Sequence, residues 1–174
     1  MRPGDHPEFF RLPPPEGRSR ESSIVLDRDG RFWHDGSRVD HPGMARAFAS
    51  WIQRHPDDGR FILSNGYDWC YFRVEGTPFF VEALVERAGR PWLILSDGSE
   101  EELSPERSEV SADDALVTAV KGGQFQARFS RAAQTVLAPW LAVTQSGEIC
   151  LEIAGTQWLL RDAAAASPTS PINA

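Results

Sequence analysis

Glycine-containing turn pairs divide this chain into short pieces, and that division most restricts its fold. Asp29-Gly30, Asn65-Gly66 and Gly122-Gly123 each lie between two short apolar runs. Asn-Gly and Asp-Gly supply the left-handed backbone that tight hairpins need, so each pair predicts two antiparallel strands joined by a turn. The strands expected from this punctuation are 23–27, 31–36, 60–64, 67–75, 79–87, 91–96, 115–120, 124–129, 148–154 and 156–160. Two segments break the pattern. In the first, Met44, Phe48, Trp51 and Ile52 recur at helical spacing, which predicts a helix over 44–54 with Asp40 as its N-cap. In the second, Ser130 precedes an apolar stripe of Val136, Leu137, Trp140 and Leu141. This predicts a helix over 131–140 that Pro139 ends or kinks.

The fold class expected is α+β, with mostly antiparallel sheets and one main helix in each of two similar units. Each half reads as hairpin, helix, hairpin, which looks like duplication of one unit. The domain boundaries expected are 22–88 for the first unit and 89–161 for the second. Five prolines lie before Gly17 and two after Ser167. The ends, 1–21 and 162–174, therefore read as disordered tails.

Charge excludes several function classes. The formal net charge is −7. Eight acids lie between Asp97 and Asp114, with Arg107 alone against them, and the rest of the chain is neutral. Extended nucleic-acid binding needs a basic stripe, and the sequence has none. The acidic segment reads as a solvated loop or sheet edge, or else as a docking surface for a basic partner. No apolar run reaches the roughly 20 residues of a membrane helix, and the start has no secretory leader pattern. A cytoplasmic location is the expectation. Two cysteines, Cys70 and Cys150, make neither a disulfide framework nor a metal-ligand spacing.

No nucleophile elbow, phosphate loop or dinucleotide fingerprint is present, so no catalytic residues, cofactor or metal are assigned. His34, Asp35, Asp40 and His41 are near one another in sequence, but no regular spacing makes them converge. The candidate ligand-binding residues are Arg73, Glu75, Arg128, Ser130, Arg131 and Trp33. Arg73 and Glu75 share one face of a strand, where a guanidinium could grip an anion. Arg128, Ser130 and Arg131 open the second helix, where free N–H groups attract phosphate. Trp33 could stack on a planar ring.

The segments 29–36 and 72–79, with the helix between them, resemble the bacterial family called domain of unknown function 1285. The stretch 126–131 is similar to the second half of that family. The resemblance implies a duplicated two-domain fold whose second domain is superficially like a pleckstrin-homology barrel. It also implies a nucleotide-like ligand between the domains and a part in signal transduction. The expectation is thus a non-enzymatic protein that holds a small anionic ligand. A protein–protein interaction module, with a second copy or another chain as partner, is the first alternative. An enzyme of unrecognised class, with metal at His34 and His41, is the second.

Overall fold

Asp27 shows how the first strands are set. Its carboxylate accepts hydrogen bonds from the backbone N–H of Asp29 and of Arg31, both at 2.9 Å. Gly30 takes a positive φ of 82°. The turn folds β1 (Glu21–Leu26) back on β2 (Phe32–His34). A computed structural model describes residues 1–163. It contains mixed α and β structure, with three sheets and two α-helices among the described residues. The chain divides into two compact units. The first is Met1–Phe79 with Ser96–Gly98, and the second is Phe80–Leu95 with the described residues from Ser99 onward.

The first unit is built on a six-stranded sheet. After β2 come β3 (Ser37–Arg38), α1 (Pro42–Ser50), β4 (Ile52–Arg54), β5 (Phe61–Ser64) and β6 (Trp69–Val74), in sheet order β3-β2-β1-β6-β5-β4. The pairings are antiparallel except β1 with β6, which is parallel. One sheet face packs against α1. Phe32 lies 5.4 Å from Phe48 of the helix and 6.4 Å from Phe72, between ring centroids. Buried Leu26 stands beside Phe32 and Val74.

The helix begins and ends earlier than its spacing predicts. His41, not Asp40, is the N-cap, and its Nδ1 accepts from the Met44 N–H at 3.3 Å. Asp40 instead pairs with Arg38 at 3.1 Å. Residues 52–54 leave the helix to pair with β5, with Ile52 opposite Leu63. Sheet pairing here overrides the helical periodicity, so Ile52 is buried on a strand while Met44 is exposed.

The N-terminal residues are not a tail without structure. Pro3–Asp5 and Pro7–Arg11 form 3-10 turns. Phe9 and Phe10 are each 8% exposed and pack with Ile62 and Trp69. Paired aromatics supply the burial that the prolines conceal in a composition reading. At the other end, Arg161 and Asp162 form a short strand, and residues 164–174 lie outside the described residues.

The second unit carries a seven-stranded sheet in the order β16-β10-β11-β12-β7-β8-β9. Its members are β7 (Phe79–Arg87), β8 (Arg90–Leu95), β9 (Glu100–Glu102), β10 (Ser108–Val110), β11 (Leu116–Val120), β12 (Phe125–Phe129) and β16 (Arg161–Asp162). A separate three-stranded sheet joins β13 (Leu141–Val143), β14 (Ile149–Ile153) and β15 (Thr156–Leu159). Between them lies α2 (Arg131–Leu137), continued as a 3-10 turn to Trp140. Pro139 has no N–H for an α-helical bond, which accounts for the change. The break between units falls at 79/80, whereas the sequence reading placed it at 88/89. Ala88 and Gly89, at φ 52° and 76°, are the tight turn joining β7 to β8, so a boundary there would sever a hairpin.

The order hairpin, helix, hairpin recurs in the two units, but the strand pairing does not. In the first, all six strands join one sheet. In the second, β13, β14 and β15 after the helix form a sheet of their own, while β16 returns to pair with β10 in the large sheet. The acidic segment holds β9 at the edge of the large sheet. Among the described residues no helix is long and apolar enough to cross a membrane.

Candidate functional site

Strand register brings three of the sequence-derived candidates together on the first unit's other sheet face. Val25 of β1 stands opposite Trp33 of β2 and opposite Arg73 of β6. Residues paired this way share a face, so indole and guanidinium flank one valine. Glu75, two residues beyond Arg73, falls on the same side. These residues, with Ser23, Asp27 and Gly36, line an open depression of about 370 Å³.

The polar groups of this depression hold one another in place. The Trp33 indole N–H donates to Asp27 Oδ2 at 2.8 Å. Burial pushes the Asp27 carboxyl up, but the hydrogen bonds from Arg31, Trp33 and Asp29 outweigh it and keep the group below the usual range. Asp27 is therefore a fixed negative charge, and it orients the indole. Arg73 Nη2 lies 3.2 Å from Glu75 Oε1. The Arg73 side chain is 69% exposed, so it can exchange Glu75 for a ligand at small cost. Ser23 bonds Asp35, whose N–H donates back to Ser23 Oγ at 3.0 Å.

One cation, two carboxylates and one aromatic ring line the depression. Such a site suits a ligand with a single anionic group for Arg73 and a planar portion for Trp33. Ring N–H donors could face Glu75 and Asp27. It does not suit a multiply charged polyphosphate, because the local carboxylates oppose it.

The remaining candidates lie in the second unit, where Arg128 and Ser130 have structural partners. Arg128 pairs with Asp113 at 2.6 Å. Ser130 Oγ accepts from the Ala133 N–H at 3.1 Å as the α2 cap, and Arg131 is the first residue of that helix. With seven residues α2 is short, and its cap acceptor is already used. Among the described residues no group of three or more His, Cys, Asp or Glu is placed to hold a metal. His34 faces Asp35 and His41 caps α1.

Ser23 and Asp27 escaped the sequence reading. A register argument could have found them: once Asp29-Gly30 fixes the hairpin, Val25 faces Trp33, and residues 23 and 27 follow on the same side.

No family model matches the chain, and no curated protein matches it. Two solved structures share its fold. One is a DUF1285 family protein from Silicibacter pomeroyi DSS-3, 18% identical, with a TM-score of 0.62 over 83% of this chain and 82% of that one. The other is a DUF1285 family protein from Shewanella baltica OS155, 18% identical, with a TM-score of 0.55 over 70% of this chain and 94% of that one. The chain has the fold of these DUF1285 family structures, the family that its segments 29–36, 72–79 and 126–131 resemble.

Proposed function

We propose that this protein binds a small, singly anionic, nucleotide-like ligand without transforming it, and that the Trp33 depression of the first unit is the site. One observation carries the reading: Trp33, Arg73 and Glu75, singled out by residue type, line one depression with Asp27. Arg73 supplies the positive charge, Trp33 the stacking wall, and Glu75 and Asp27 accept from ring amino groups. Binding without chemistry fits a part in signal transduction, as the family resemblance implies. The recurring hairpin-helix-hairpin order is compatible with the duplication that the same resemblance implies.

A thermal-shift screen of cyclic mononucleotides, which carry one negative charge, with the more highly charged nucleoside monophosphates as comparison, tests the proposal. Ligand at 100 times Kd stabilises by about 2.7 kcal/mol, a readily measured shift. Arg73→Ala should abolish the shift while leaving the unliganded melting temperature unchanged, because its side chain is mostly exposed. Arg128→Ala should retain it. A screen with no shift at millimolar ligand, or a shift unaffected by Arg73→Ala, would remove this site from consideration.

A further inference from the structure

The same unit also contains a groove that is already filled, lined by residues other than those of the Trp33 depression. Ile62, Trp69, Tyr71 and His55 form an aromatic-lined surface on the sheet. The segment 1–20 lies on it without adding a strand. Phe10 sits 6.0 Å from the Trp69 ring and 6.1 Å from His55. His55 is buried, with Nε2 3.2 Å from the Phe10 carbonyl and Nδ1 accepting from the Asp57 N–H at 3.3 Å. That network makes His55 the donor to the Phe10 carbonyl. Arg11 grips Asp57 with two parallel hydrogen bonds, Nη2 to Oδ1 at 2.8 Å and Nε to Oδ2 at 3.0 Å. The Gly4 N–H donates to the Gly66 carbonyl at 2.9 Å. The backbones meet so closely there that a Cβ on Gly4 would come within 2.9 Å of Gly66 Cα.

Two aromatic anchors, one bidentate arginine and a few backbone bonds are how a short peptide ligand binds a groove, rather than how a sheet element joins a core. A second observation points the same way. The Trp69 indole N–H and the Arg20 Nε are buried and have no hydrogen-bond partner, though Trp69 is only 6% exposed. The two meet, with the guanidinium carbon 4.4 Å from the indole ring, in the cluster that Phe9 and Phe10 close. The resident segment thus leaves a buried donor unmet, and a ligand with a well-placed acceptor would satisfy it.

We infer that this groove is a peptide-docking site and that residues 3–11 are its resident pseudo-ligand. Its partner is a segment of another protein with two adjacent aromatic residues followed by arginine and an acceptor for the Trp69 indole. The intramolecular segment competes at high effective concentration, so a partner binds only in proportion to the fraction of open groove.

The test uses the full chain and a fluorescent peptide of residues 3–12. A Gly4→Ala/Phe9→Ala/Phe10→Ala variant weakens the resident segment and should bind the peptide at least about tenfold more tightly than the wild type, because more groove is open. Adding Asp57→Asn should weaken that binding, and a peptide with alanine for both phenylalanines should not bind. A folded variant that binds no peptide, or binds it no better than the wild type, overturns the proposal. Hydrogen exchange on the wild type decides the matter if the variant does not fold. The amides of Phe9 and Leu12 should exchange through local opening well before those of β5 and β6. Exchange of all of them in one cooperative step would make the segment part of the core and overturn the inference. Light scattering that finds a dimer exchanging this segment would assign the groove to a second copy, overturning the partner named here.

Discussion

The two units seal their sheets differently. In the second, Val81, Leu93, Leu95, Val120, Ala127, Leu137 and Leu151 are fully buried aliphatics, and the one polar pair among them, Ser108 with Thr118, is closed by a 3.0 Å hydrogen bond. In the first, α1 covers one face, while the other is part covered by Phe9 and Phe10 and part open at Trp33, Val25 and Arg73. An unsealed sheet face must satisfy its polar groups locally and still leaves room for a ligand to replace solvent. The second unit has the larger charge anomaly, yet four of the eight acids of that segment are answered by the sheet: Glu100 by Arg87, Glu102 by Arg90, Asp113 by Arg128, and Glu101 by the Lys121 N–H. Part of the sequence's strongest charge signal, Glu100–Glu102 of β9, is thus sheet-edge structure, which also discourages edge-to-edge pairing.

The largest test of this contrast is truncation on each side. Leu93→Ala or Leu151→Ala removes a fully buried side chain and should cost about 2–5 kcal/mol in chemical denaturation. Val25→Ala, on the open face, should cost about 1 kcal/mol or less. Equal losses would mean that the open face is as sealed as the other unit's core.

Hairpins were the most legible part of the chain, because Asp29-Gly30, Asn65-Gly66 and Gly122-Gly123 specify turns through local backbone sterics alone. β7 spans the expected residues, with Pro78 before it and the Ala88-Gly89 turn after it. Helix limits were less legible. Ile52 fits the helical stripe of α1 as well as it fits a strand, and only its pairing with Leu63 decides. The N-terminal segment was misread because proline content masks what two phenylalanines can bury once a groove exists to receive them. At the site, residue type marked Trp33, Arg73 and Glu75. Arg128 and Ser130 matched equally good patterns and have structural partners, since sequence spacing does not reveal which carboxylate or N–H will stand opposite.

Asp27 gives an intermediate test, sharpened by pH. Its carboxyl is held low in the folded protein. The stabilisation is therefore complete above the ordinary unfolded carboxyl range and is lost as pH falls through the lower folded value. Asp27→Asn should destabilise by about 1–2 kcal/mol at neutral pH through the weakened bonds to Trp33 and the turn. The difference from wild type should shrink on acidification. Chemical denaturation of wild type and variant at a series of acid pH values checks both. A difference that stays constant into acid would mean that the fold does not use the Asp27 charge and that the indole is held by packing.

The smallest effect belongs to the edge of the second unit. Arg90 and Glu102 pair across β8 and β9 with both side chains partly exposed. Water screens such a pair, so Arg90→Gln should cost less than about 1 kcal/mol. The informative readout is salt. At about 1 M the Debye length is near 3 Å, and wild type and variant should converge if pairing is the only role of Arg90. If the variant stays weaker in high salt, the arginine stem is contributing by packing. Arg90 and Glu102 also line a depression of about 240 Å³ with Trp158 and Ile153, so the stem has apolar surface to cover. The second unit would then owe part of its edge to buried hydrocarbon, and the contrast between the units would rest on packing more than on charge.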